Sequence, residues 1–165
     1  MSRLDRIATV AGAVAAVFLA LIAAIIAVQI VARLFGRQIP ASDDFAAWSM
    51  AASIFLALPY AMQRGDHIRV TLVQNFLPKG GATKAYEIVA TAIGLALSGW
   101  ATWHAAAFVY ESYAYGDVAQ GMVAVPLWIP QVAMPIGLAL LTAMLVQRLL
   151  KCLRGEALEE DQGHG

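Results

Sequence analysis

Four stretches of this sequence, residues 7–32, 45–63, 88–110 and 118–147, contain no Asp, Glu, Lys or Arg. A hydrocarbon core about 30 Å thick needs roughly 20 apolar residues at about 1.5 Å of helical rise each. The second stretch is just long enough to cross, the first and third can cross with tilt, and the fourth has length to spare. Buried helices of a soluble protein are the competing explanation. The chain is 61% hydrophobic and 13% charged over 165 residues, and four such runs would leave too little polar surface to cover them. The expected fold is an all-α integral membrane protein with four transmembrane helices, spanning about 7–32, 45–63, 86–110 and 130–147. Residues 1–155 form one membrane domain in this reading, and the acidic tail at 156–165 is expected to be disordered.

Arg3 and Arg6 precede the first run, as in a secretory leader, but leader cores are about 7–15 residues long. An uncleaved first span is the better reading of residues 7–32. Eleven basic residues balance eleven acidic ones, leaving no basic excess for a nucleic-acid partner. The lone cysteine, Cys152, excludes an internal disulfide or a cysteine metal cluster.

Even-numbered crossings put both termini on one side. With the N-terminus inside, nine Lys and Arg residues fall on the cytoplasmic side and only two, Arg33 and Arg37, outside. That asymmetry predicts an N-in, C-in topology.

The segment LPYAMQRGDHIRV, residues 58–70, then lies where the second span leaves the membrane. Gly65 reads as a helix stop and Asp66 as an N-cap. Ile68, Leu72, Val73, Phe76 and Leu77 share one helical face beyond it. This predicts a short amphipathic interfacial helix over 66–77 along the inner leaflet. Arg64, His67, Arg69 and Trp128 are the expected membrane anchors, Trp128 belonging to the outer interface. Asp66 and His67 are adjacent, point in different directions and have no nucleophile nearby, so a structural role is favoured over acid–base chemistry.

Elsewhere the candidates are sparse. Ala8, Gly12, Ala16, Ala20 and Ala24 recur every fourth residue and form a candidate small-residue packing row. Gln29 is expected to hydrogen-bond to a neighbouring helix. Ser42 or Asp43 is expected to cap the second span, with Asp44 in its first turn. Asp43, Asp44, Glu111 and Asp117 are candidate docking residues on the outer face. His104 lies within the third span near Trp100 and Trp103; a packed, neutral ring is favoured over a proton carrier. Pro130 is expected at the start of the last helix and Pro135 as a kink. No catalytic, cofactor or metal residues are predicted. Nucleotide loops and hydrolase motifs are missing, and no paired histidines face each other across spans for haem.

Taken in order, several elements resemble the small membrane subunit of tripartite ATP-independent periplasmic (TRAP) transporters, the DctQ-like family. They are the basic N-terminus, Arg33, the Pro40/Asp43/Asp44 group, Gly65-x-His67-Ile68-x-Val70, Leu77–Pro78, Pro126-x-Trp128-x-Pro130 and Pro135-x-Gly137. The family more often has glutamate where Asp43 and Asp44 stand. The resemblance implies a bacterial inner-membrane, multi-pass, non-enzymatic subunit. Its partners would be a large DctM-like permease subunit, a periplasmic substrate-binding protein and membrane lipids. The large subunit would carry an organic acid with its coupling ion, and the small one would enlarge the stationary scaffold. The alternative is a self-sufficient small four-helix carrier, or a quinone- or haem-linked membrane protein.

Overall fold

A computed structural model describes the backbone of residues 3–74, 81–121 and 123–154, and the side chains of these except 65–84. Its elements are α1 (Arg3–Leu34), α2 (Ser42–Gln74), α3 (Gly81–Tyr115), the short α4 (Trp128–Gln131) and α5 (Ala133–Arg154). Among the described residues there is no strand, only one isolated bridge between Val118 and Pro126. Four segments are long and apolar enough to span a membrane: Arg3–Leu34, Ser42–Arg64, Ala85–Tyr115 and Trp128–Arg154. The first three overrun their charge-free runs at both ends, whereas the fourth starts ten residues into its run, at Trp128, and overruns only its far end. In hydrocarbon a helix is the economical answer for such a run, because it satisfies each backbone group internally.

The helices form an open row rather than a closed bundle. α1 packs along α2, α2 along α5 and α5 along α3, while α1 touches α5 only lightly. Burial follows this order. On α1 the residues that are not exposed from Ala8 onward are Ala8, Ala11, Gly12, Ala15, Phe18, Ile22, Ile25, Gln29 and Ala32. Apart from Gly12 they alternate steps of three and four, the spacing that keeps one seam facing one neighbour. α3 shows the same alternation through Ile88, Thr91, Leu95, Ser98, Thr102, Ala105, Val109 and Ser112. The two edge helices therefore carry one seam each. α5, in the middle, leaves only a narrow stripe exposed before its last residue, Arg154: Ile136, Ala139, Val146, Leu150 and Leu153.

Only part of the expected every-fourth row on α1 lies in the seam with α2. A step of four residues advances about 40° beyond a full turn, so the row winds around the helix. Ala8 and Gly12 face α2, whereas Ala16, Ala20 and Ala24 are exposed. Most of the buried residues are small or hydroxylated, including Ala52, Ala105, Ser49, Thr91, Ser98 and Ser112, with Pro59 and Met144 the larger exceptions, while many large aliphatics are exposed. Lipid removes the drive to bury large apolar groups, so close backbone approach decides what goes inside.

The closest approach joins α2 to α5. Pro59, fully buried inside α2, has no N–H to donate to the Phe55 carbonyl four residues back. Gly137 of α5 lies against that same carbonyl: a Cβ there would overlap the Phe55 oxygen and carbon. The Gly137 Cα hydrogen in that direction points at the freed oxygen, a weak donor where the helical one is missing. Pro135 and Gly137 thus act together, since Pro135 falls in the first turn of α5, where no intrahelical donor is required.

Two boundaries differ from expectation. α2 continues through Gly65 to Gln74, so the helix expected over 66–77 is not a separate element; residues 75–77 lie outside the described ones. One glycine costs about 1 kcal/mol in a helix, and helical neighbours on both sides absorb it. The last span is not one helix from Pro130: the helical rod starts at Trp128 and a turn at Val132 divides α4 from α5. The expected tail at 156–165 lies outside the described residues.

Candidate functional site

One end of the row holds the α1–α2 loop and the α3–α4 connection. α1 stops at Gly36, whose φ of 69° lets Arg37 N–H reach the Ala32 carbonyl at 3.0 Å, a glycine-terminated helix end. The loop then leads to Ala41, which takes the N-cap position of α2 with φ 59°; Phe45 N–H donates to its carbonyl at 3.1 Å. Ser42 or Asp43 was expected to cap, and the N-cap position falls to Ala41 instead; Ser42 is the first residue of the helix. Its hydroxyl donates backward to the Ile39 carbonyl at 3.2 Å. Asp43, one position inside the helix, accepts a hydrogen bond from Gln29 Nε2 at 3.2 Å. The neighbouring-helix partner expected for Gln29 is this carboxylate.

The α3–α4 connection sits over the same end. Gly116, φ 67°, ends α3 as Gly36 ends α1, with Asp117 N–H on the Ser112 carbonyl at 3.0 Å. The chain then doubles back. Leu127 N–H donates to the Asp117 carbonyl and Ala119 N–H to the Val125 carbonyl, both at 2.9 Å. Gly121 in this hairpin lies against the Asp44 carboxylate with no room for a Cβ. Trp128 is anchored edge-on against Tyr113, ring centroids 5.7 Å apart. Asp43, Asp44 and Asp117 therefore share one rim, with the hairpin laid across Asp44. Glu111 stands on the opposite side of α3 from its buried seam and is exposed. The hairpin carried no sequence signal beyond the proline at its foot.

At the other end, Gly12 of α1 receives the ring of Tyr60, whose Cγ would stand 2.7 Å from a Cβ on that glycine. Arg64 is exposed and lies over the Tyr60 ring, 5.4 Å from its centroid. Thr9 Oγ1 donates to the Asp5 carbonyl at 2.9 Å and lies 3.5 Å from Gln63 Oε1. The side chains of His67 and Arg69, two of the expected anchors, lie outside the described residues. Cys152 is buried.

Within the apolar depth, α3 and α5 are joined by hydroxyls. Thr102 and Thr142 stand 3.1 Å apart; one hydroxyl donates across to the other, and the accepting one spends its own hydrogen on the carbonyl four residues before it, Ser98 for Thr102 at 2.7 Å or Leu138 for Thr142 at 2.8 Å. Ser53 of α2 donates to the Ala15 carbonyl of α1 at 3.0 Å. His104 was expected as a packed, neutral ring near Trp100 and Trp103. It is exposed on the outer edge of α3, its ring tilted against Trp100 at 4.5 Å between centroids. No group of three or more His, Cys, Asp or Glu residues able to hold a metal is formed among the described residues.

The described residues thus offer a rim of carboxylates, four segments able to span a membrane, and seams of small and hydroxylated residues between them. The family model for tripartite ATP-independent periplasmic transporters, DctQ component, matches residues 22–155. The chain belongs to this family. That match runs from within α1 to the end of α5, so all four candidate spans of this DctQ-family chain fall wholly or partly within it. The family is a component of a transporter, which makes this chain a multi-pass membrane protein of a transport system. No curated protein and no solved structure gives a significant match.

Proposed function

We propose that this DctQ-family chain is the non-catalytic small subunit of a TRAP-type secondary transporter in the bacterial inner membrane. It holds the large, ion-coupled permease subunit in place while that subunit takes up an organic acid delivered by a periplasmic binding protein. The family match over residues 22–155 carries this reading. The residue pattern supports it: no acidic group stands within any of the four charge-free runs, so the chain offers no intramembrane carboxylate to couple ion and solute. A scaffold needs fixed depth and fixed shape. The Arg64–Tyr60 contact, Trp128 against Tyr113, and the proline–glycine crossing of α2 and α5 serve those needs. The nine-to-two distribution of Lys and Arg favours both termini inside. In that orientation the end bearing Asp43, Asp44 and Asp117 faces the binding protein, and residues 65–74 extend α2 at the cytoplasmic surface.

Reconstitution tests this directly. Proteoliposomes holding the chain alone are expected to accumulate no solute. Adding the large subunit and the binding protein restores uptake, and omitting this chain from the complete set abolishes it. Ion-gradient-driven accumulation by the chain alone would refute the assignment.

A further inference from the structure

We infer that the open edge of α3, centred on Trp100, Trp103 and His104, is the surface that packs against the large permease subunit, and that the open edge of α1 faces lipid. The inference rests on the function proposed above and adds to it which face of the row is the interface.

The open row leaves two free edges, and they differ in chemistry. The exposed side chains of α1 across the hydrocarbon are Val10, Val14, Val17, Leu19, Leu21, Ile26, Val28 and their alanine neighbours. All are aliphatic and ask nothing of acyl chains. The exposed side of α3 bears Trp100 at 66% and Trp103 at 74% exposure, with His104 beside them and Tyr110 and Glu111 above. His104 lies two turns below Glu111, about 10 Å along the axis, and Trp100 about 16 Å below it. Both are beneath the interfacial level, where tryptophan is ordinarily enriched.

Depth makes the imidazole decisive. Its ring nitrogens find no hydrogen-bond partner among the described residues; its ring contact is with Trp100. In either protonation state an imidazole loses water's hydrogen bonds on entering hydrocarbon, and acyl chains offer none in return. Ionisable groups at such depth accordingly face protein or a water-filled cavity. The two indole N–H groups carry the same demand on a smaller scale. A second membrane protein with a hydrogen-bonding side chain at that depth, and a groove to take two indoles, meets all three needs. Lipid meets none. The family's large subunit is the membrane neighbour the proposed function supplies.

Photo-cross-linking in the assembled complex tests the assignment. A benzoylphenylalanine is placed at residue 103 or at residue 17, each chain is co-expressed with the large subunit, and membranes are irradiated before purification. The expected result is an adduct with the large subunit from position 103 and none from position 17. An adduct from position 17, an adduct between two copies of this chain from position 103, or no adduct from 103 overturns the edge assignment. If the unmodified chain does not co-purify with the large subunit at all, the proposed function itself fails and this inference falls with it. His104→Leu is expected to reduce the co-purified large subunit about 3- to 10-fold, the range set by one intramembrane hydrogen bond. His104→Gln, which keeps a donor and an acceptor, retains it. Full retention with leucine contradicts the inference, because an exposed residue of this kind has no part in folding the chain itself.

Discussion

α5 is held on its two sides by different means, and two glycines show the difference. Toward α2, Gly137 lies against main chain, where a Cβ would overlap the Phe55 carbonyl. Toward α3, a Cβ on Gly94 would meet only the Leu145 side chain, at an ordinary 3.8 Å from Cδ2 and 4.0 Å from Cδ1. The first contact is backbone on backbone at a proline-freed oxygen. The second is side chain on side chain, supported by the Thr102–Thr142 hydroxyl pair. In a bilayer, where burial of aliphatic groups gives no net drive, a single close crossing can define the centre of the row while a looser seam fixes the register of an edge helix.

The strongest way to break this contrast is Gly137→Ala. The methyl group has nowhere to go unless α2 and α5 separate, and the obstacle is a carbonyl that cannot rotate away. A loss of about 1–3 kcal/mol in unfolding free energy is expected from overpacking, read by denaturant titration of the chain in micelles. An unchanged midpoint would show that α2 and α5 do not cross as closely as described.

Gly12→Ala comes next. Its Cβ would stand 2.7 Å from Tyr60 Cγ, again too near, but the obstacle is a ring that can turn with a few tenths of an ångström of backbone adjustment. The expected loss is about 1 kcal/mol, accompanied by altered Tyr60 fluorescence as the Arg64 contact loosens. Ala20→Leu, on the exposed side of the same helix, should leave stability within about 0.5 kcal/mol. Equal effects at the two positions would mean that the seam of α1 does not run through Gly12.

Thr142→Val is smaller again. It keeps the shape and removes one interhelical hydroxyl, and such bonds in membrane proteins average about 0.6 kcal/mol. Thr102 would still donate to the Ser98 carbonyl, 2.7 Å away, so no donor is stranded. A loss well above 1 kcal/mol would make the hydroxyl pair, rather than the crossing at Gly137, the point that holds α5.

The four helices were legible because charges bracket each apolar run, and bracketing is a one-dimensional signal. The neighbours of each helix were not. An every-fourth row of small residues looks like a seam on paper, yet its 40° drift per step carries Ala24 away from the side on which Ala8 lies. The alternating steps from Ala8 to Ala32 were present in the sequence but are hard to see where most residues are alanine. The Pro135-x-Gly137 element was visible as a pattern; its cause lies on another helix, at a carbonyl freed by Pro59. Gly36 and Gly116 end helices, whereas Gly65, the glycine expected as a stop, sits inside one. A glycine ends a helix when the chain turns into the left-handed region, as at φ 69° and 67°, and sequence does not reveal φ. At the rim, Asp43, Asp44 and Asp117 could be placed on one side by counting crossings, but the hairpin resting on Asp44 depends on backbone bonds that no side chain advertises.

Gly94→Ala is the prediction with the smallest effect and the opposite sign. Alanine is favoured over glycine in a helix by about 0.5–1 kcal/mol, because glycine loses more backbone freedom on ordering. In hydrocarbon that gain is reduced, since the unfolded reference within a bilayer is already helical. Against it stands the added methyl, which meets Leu145 at normal contact distance and so brings packing rather than collision. The two terms agree in sign. A slight rise in unfolding free energy, up to about 0.5 kcal/mol, is therefore expected where the same substitution at Gly137 causes a loss. Should both alanines destabilise alike, α3 would have to lie as close to α5 as α2 does, and the distinction between a fixed centre and a looser edge would disappear.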